Sequence, residues 1–278
     1  MIDAHIHVTP PRLPGVGSLS PWLDTPAAVR ADVLRREMQA AEVKQALAMG
    51  CWNASEEDPL GIAETLALAR LVPGLFAIGV ADPTRCDAAH LRRVESVLAT
   101  KQVYALKGYL GYLPYAPDHP GYRPYYELAE RYQLPMIFHT GDTYSPCAKL
   151  RYAQPLLVDD VAVDHPKVKF VLAHLGNPWL MDAAEVVCKN VNVWADLSGL
   201  VIGDANSFTA EQRQEMLAET QQALRRAFRY AERPNRFLYG SDWPLVPMAA
   251  YRAFIAAAIP ELYHALIFED NARALFRI

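Results

Sequence analysis

The sequence is short of several features that would each point to a different kind of protein. Its four cysteines, Cys51, Cys86, Cys147 and Cys188, stand far apart with no CxxC pair. That spacing excludes a disulfide framework and reads as incidental thiols in a reducing compartment. No long basic run occurs and the net charge is −4, so the electrostatic footprint of a nucleic-acid or membrane-surface binder is missing. No uncharged apolar run reaches the ~20 residues of a membrane span. The opening Met1-Ile2-Asp3-Ala4-His5 lacks the basic segment and apolar stretch of a secretory signal. The expectation is a cytoplasmic protein whose partner is a small molecule, with homo-oligomers left open. Repeats, linkers and low-complexity segments are also missing, which argues for a single domain over 1–278.

What is present is an ordinary globular composition, 52% hydrophobic and 21% charged, in a chain of 278 residues that suits one closed α/β barrel. Short apolar segments recur at 2–8, 44–50, 75–81, 103–109, 135–140, 168–174, 191–197 and 236–242. Helical patterns separate and follow them at 27–42, 59–72, 85–100, 122–133, 155–165, 178–190, 209–232 and 247–258. In 209–232, Met216, Leu217, Leu224, Ala227 and Phe228 are spaced for one buried face. Strict strand–helix alternation implies parallel strands joined by right-handed crossovers. Eight units close a (β/α)8 TIM barrel, with a doubly wound sheet of six or seven strands as the weaker alternative. The tail 261–278 is expected as a short helix closing the far end or edge of the barrel.

The chemically informative residues fall at the C-terminal ends of these strands, the face on which barrel enzymes carry their active sites. On the first strand, Asp3-Ala4-His5-Ile6-His7 sets two imidazoles two residues apart. In an extended chain such residues face the same side, so both reach one ion in the barrel mouth. The fifth strand ends in His139, the sixth in His174 and the eighth in Gly240-Ser241-Asp242-Trp243. Imidazole nitrogen with carboxylate oxygen is a ligand set preferred by Zn²⁺ and accepted by Mn²⁺, Fe²⁺ or Co²⁺. His90, His119, His165 and His264 lie in a helix, a loop, a turn and the tail, and read as solvated or locally hydrogen-bonded. Tyr109, Tyr112, Tyr144 and Trp179 are expected to ring the pocket as substrate contacts. Lys149 and Arg151, on the loop after the fifth strand, suit an anionic substrate, since arginine binds carboxylates bidentately.

Together these motifs resemble the amidohydrolase superfamily, and within it the amidohydrolase-2 group of hydrolases and aminocarboxymuconate-semialdehyde or resorcylate-type decarboxylases. The resemblance runs from Asp3 to Asn271-Ala272-Arg273. It implies His5, His7, His139 and Asp242 as ligands of a mononuclear site, with His174 beside the ion to polarise substrate or move a proton. Lys107 occupies the place where binuclear members carry a carboxylated lysine between two ions. It is expected unmodified here, with a substrate-carboxylate anchor or a structural salt bridge as its other readings. The implied cofactor is one divalent ion, zinc foremost, with a second left open. The implied reaction is hydrolysis of an amide, ester or lactone, Asp242 and His174 being the catalytic pair. A non-oxidative decarboxylase of a small unsaturated or aromatic acid uses the same site. The fourth strand reads Ala105-Leu106-Lys107-Gly108, where the related metal-dependent deoxyribonucleases usually carry a glutamate, so the nuclease reading loses its ligand. A catalytically silent barrel would be expected to have lost ligands, and all are present.

Overall fold

The computed structural model describes residues 1–52, 55–201 and 209–278. Eight parallel strands form one sheet in chain order: β1 (Ile2–Ile6), β2 (Gln45–Met49), β3 (Leu75–Val80), β4 (Val103–Gly108), β5 (Met136–Phe138), β6 (Phe170–Leu172), β7 (Val193–Asp196) and β8 (Phe237–Leu238). The helices between and after them are α1 (Ala27–Ala40), α2 (Ala63–Ala69), α3 (Ala88–Leu98), α4 (Arg123–Tyr132), α5 (Leu157–Asp164), α6 (Leu180–Lys189), α7 (Ala210–Ala231) and α8 (Met248–Ala258). The arrangement is a TIM barrel, as the alternation of the sequence requires. Among the described residues no helix is long and apolar enough to cross a membrane.

Because helices cover the outside and side chains fill the inside, the strands are buried on both faces and read as near-continuous apolar runs. Outward-facing Leu106, Phe138, Phe170 and Phe237 pack with the helices in one large core. Inward-facing Ala105, Ile137, Val171 and Leu238 form a separate barrel-floor cluster with Ile2, Leu47 and Ile78. That floor is capped by the final helix α9 (Asn271–Phe276), whose Leu275 and Phe276 pack into it. Asn271 fastens the cap by donating from Nδ2 to the carbonyls of Pro234 (2.9 Å) and Phe237 (2.8 Å). The tail therefore closes the far end of the barrel.

The barrel seam lies between β1 and the chain that continues beyond β8. Ala4 N donates to Tyr239 O (2.9 Å), Asp242 N to His5 O (2.9 Å) and His7 N to Trp243 O (2.7 Å). The buried Asp3 carboxylate reinforces the seam, its Oδ1 accepting from His5 N (3.2 Å) and Ser241 N (3.0 Å).

Several strands stop short of the apolar segments that announce them, and the reason is backbone conformation. His174 (φ 61°), Leu175 (φ 44°) and Asp242 (φ 59°) are left-handed, so the extended ladder cannot continue through them. In α7, Thr209 and Gln212 make a capping box, and Leu224, Ala227 and Phe228 are buried. Met216 and Leu217 are only half-buried, because the first turns of this helix cover less of the barrel.

Tyr251, on α8, holds the segment that follows β7. Its buried hydroxyl donates to Leu197 O (2.6 Å) and accepts from Leu200 N (3.0 Å). Tyr251→Phe leaves two buried backbone groups without partners, and is expected to cost about 1–3 kcal/mol in urea unfolding. A midpoint equal to that of the parent protein would show that this tether carries no stability.

Candidate metal centre

Three side chains from the two sides of the seam converge above the barrel floor. His5 Nε2 lies 3.7 Å and His7 Nε2 3.5 Å from Asp242 Oδ1. His5 Nε2 and Asp242 Oδ1 are buried and have no hydrogen-bond partner. Buried polar atoms without partners are costly, so such a cluster calls for a ligand. Around an ion with bonds of ~2.1 Å, tetrahedral ligand atoms stand ~3.4 Å apart, close to these separations. The donor set therefore fits a divalent ion such as zinc.

His5 is oriented from behind. Its Nδ1–H donates to Asp196 Oδ2 (2.9 Å), which leaves Nε2 as the lone pair aimed at the triangle. A carboxylate behind a metal-binding histidine fixes its tautomer and raises its basicity. Asp196, at the end of β7, is fully buried and also accepts from His174 N and Ser198 N, both at 3.0 Å. Burial alone would raise its carboxyl pKa, but His5 and His174 beside it hold it well below the ordinary carboxylate range. Asp242 is likewise kept ionised against the pull of burial by His174, His7 and His5.

Among the described residues, ligand-type atoms gather within 4.8 Å of one another in two groups, His5–His7–Asp242 and His5–His174–Asp196. The second is already closed by the hydrogen bonds of Asp196, so it supports the first instead of competing with it. His139 belongs to neither group. It stands on the pocket wall with Nε2–H donating to Asp142 O (2.8 Å), its ring 4.9 Å from that of His174. Burial, with His174 and Lys107 nearby, lowers its pKa well below the usual imidazole value. His174 faces the same space, with Nδ1 3.9 Å from Asp242 Oδ2, and burial lowers it to about 4. Lys107, on β4, projects into the pocket with 1% of its surface exposed and no partner for Nζ. Burial pushes its ammonium down to about 8, against the pull of Asp196 and Asp242.

The cleft over these groups is walled by Leu13, Val16 and Leu19 from the β1–α1 connection and by Leu200 and Leu245. Its concave shape and apolar rim suit a small molecule. Tyr109, Tyr112 and Tyr144 line it, although the Tyr109 hydroxyl is committed to Gly50 O (2.5 Å) and Tyr112 accepts from Tyr144 N (2.8 Å). Lys149, Arg151 and Trp179 are not among its lining residues. Lys149 is exposed, Arg151 lies over the ring of Tyr152, and Trp179 faces a groove between α6 and α7 beside Glu219 and Arg226. The left-handed turn at His174–Leu175 redirects the chain toward that groove before Trp179 is reached. His119 and His264 bond locally to Gly121 N and Ile259 O, and His90 bonds through Nε2 to the Tyr125 hydroxyl while its buried Nδ1 has no hydrogen-bond partner.

The sequence profile of the amidohydrolase family matches residues 2–278. The chain belongs to this family. Its barrel superposes on an amidohydrolase from Burkholderia multivorans with bound zinc, at 17% identity and a TM-score of 0.69, covering 100% of this chain and 99% of that one. It also resembles a probable 2-pyrone-4,6-dicarboxylic acid hydrolase from Acinetobacter baumannii (14%, TM-score 0.68) and a 5-carboxyvanillate decarboxylase from Sphingomonas paucimobilis (18%, TM-score 0.66). Each of these covers 100% of this chain and 99% of the other. No curated protein matches the sequence.

Asp196 and Ser198 are residues of this site that the sequence did not single out. Their signal was an aspartate ending an otherwise apolar strand, followed by Ser198-Gly199. Gly199 is required there. It has φ +62°, and an added Cβ would stand 2.6 Å from His174 Nδ1 and 3.0 Å from Asp242 Oδ2.

Two outcomes are expected. Gly199→Ala should lose about 1–3 kcal/mol of stability and displace His174 or Asp242, lowering activity with the barrel intact by far-ultraviolet circular dichroism. Unchanged stability and turnover would contradict the close approach. By elemental analysis and metal titration, His5→Ala and Asp242→Ala should lose metal, whereas His174→Asn should keep it. Asp196→Asn should bind about 10–100-fold more weakly. Parent-like affinity in Asp196→Asn would refute its role behind His5.

Proposed function

We propose that this protein is a metal-dependent hydrolase that cleaves an amide, ester or lactone in a small anionic substrate. The observation that carries the reading is the double engagement of Asp242. Its Oδ1 completes the triangle with His5 and His7, while Oδ2 faces His174 across 3.9 Å. A divalent ion bound there supplies Lewis acidity, which acidifies water and polarises a carbonyl. Asp242 and His174 are then the two groups that move protons. Ionised Asp242 accepts a proton, and neutral His174, open to the cleft, works beside it. General acid–base transfer of this kind contributes about 10²–10⁴-fold.

The anionic character of the substrate rests on Lys107. A buried ammonium without a hydrogen-bond partner is matched by a substrate oxyanion, and the exposed Lys149 and Arg151 are not needed for it. The same lysine favours a second reading, a carboxy-lyase acting on a small unsaturated or aromatic acid. The decarboxylase and hydrolase among the similar structures support both. The single divalent ion, zinc foremost, and an unmodified Lys107 belong to this proposal.

A screen of lactones, amides and aromatic acids with metal-loaded protein in H₂¹⁸O and D₂O separates the readings. Hydrolysis is expected to place ¹⁸O in the acid product. Release of CO₂ with deuterium on carbon and no ¹⁸O incorporation would replace the hydrolase by the lyase. For the active substrate, Lys107→Met is expected to lower kcat/KM by about 10²-fold or more, as loss of a charge-assisted contact does.

A further inference from the structure

Ser198 is neither a member of the ligand triangle nor a residue of the cleft lining, yet its hydroxyl lies among three groups of the site. Oγ is 2.5 Å from Asp196 Oδ1, 2.9 Å from His174 Nδ1 and 3.2 Å from His5 Nδ1. A hydroxyl has one proton to give and two lone pairs to receive. Two oxygens at the shortest of these separations need a proton between them, and the Asp196 carboxylate has none to offer. Ser198 therefore donates to Asp196. Nδ1–H of His5 is spent on the other oxygen of Asp196 (2.9 Å).

What Ser198 turns toward His174 is consequently a lone pair. The contact is attractive only if His174 Nδ1 bears the hydrogen. The other neighbour of that nitrogen is also an acceptor, Asp242 Oδ2 at 3.9 Å. The backbone makes the arrangement rigid, because His174 N and Ser198 N are both held by Asp196 Oδ1.

We infer that Ser198 is a positioning residue: it locks neutral His174 as the Nδ1–H tautomer and leaves Nε2 as a bare proton acceptor. The chain of donors runs from His174 Nδ1–H to Ser198 Oγ, and from Ser198 O–H to Asp196. In this tautomer Nε2 keeps its lone pair, while Nδ1–H is held through Ser198 by the Asp196 carboxylate. Of the two roles open to His174, polarising a carbonyl or moving a proton, the neutral ring in this tautomer performs the second. It has no hydrogen at Nε2 to give to carbon, which sets it on the hydrolytic side. This catalytic consequence rests on the hydrolase reading above, whereas the tautomer itself does not.

The test is ¹⁵N NMR of zinc-loaded protein labelled at histidine, with the His174 resonances identified by their loss in His174→Asn. The expected result is a protonated Nδ1 and an unprotonated Nε2. Ser198→Ala is expected to redistribute the proton between the two nitrogens and to lower kcat by about 10–100-fold, with KM and metal content held. Ser198→Thr, which keeps the hydroxyl, should restore both the spectrum and the rate. A parent protein with its proton on Nε2, or a Ser198→Ala spectrum identical to the parent's, overturns the inference. Evolution of CO₂ without hydrolysis overturns the hydrolase reading and leaves the spectrum to decide the tautomer.

Discussion

Closure of the barrel between β1 and the chain beyond β8 is the constraint on which the site depends. Sheet edges left open expose unpaired backbone groups, and a barrel removes them by joining its first strand to its last. Here the bonds that make the join belong to Ala4, His5, His7, Tyr239, Asp242 and Trp243. The same short segments carry the three groups that meet at 3.5 and 3.7 Å. Joining the two ends of the sheet and assembling the ligand triangle are one event, and the triangle inherits the rigidity of hydrogen-bonded backbone. The left-handed conformation of Asp242 is held in place by its N–H bond to His5 O.

Much of this was legible in the order of residues. Apolar strand segments with helical spacers specified the barrel, and the i, i+2 spacing of His5 and His7 specified a shared direction. Residues at strand ends were legible because strand direction alone puts them at the mouth. Asp196 ends β7 and was open to the same rule; what the order of residues does not show is that it and Ser198 turn toward His5, 191 and 193 residues away, instead of toward the cleft. Trp179 and Arg151 lie outside the cleft lining. Past the strand end, position depends on turn geometry, and the turn at His174–Leu175 sends Trp179 toward α6 and α7. His139 reaches the mouth as expected, yet its ring is engaged with Asp142 O and stands apart from the triangle.

The electrostatics of the pocket follow from burying opposite charges together without pairing them all. Asp196 and Asp242 remain ionised because imidazoles surround them, while Lys107 keeps an ammonium with no hydrogen-bond partner. Isolated buried charges are expensive, and the cost is tolerated where the missing partner arrives from outside. The apolar rim of leucines and valine sharpens the contrast, since a low-polarity wall strengthens every charge interaction beneath it.

The helix that caps the barrel floor has a consequence for molecular traffic. With Leu275 and Phe276 packed into the floor at the far end, the cleft at the strand ends is, among the described residues, the side from which the site is reached. Lys107 and His174 share this cleft with Leu13, Leu19 and Tyr144. Arrival and departure then share one cleft. Under the proposed reading, a product that retains the anionic group of its parent occupies the place beside Lys107 that the next molecule needs.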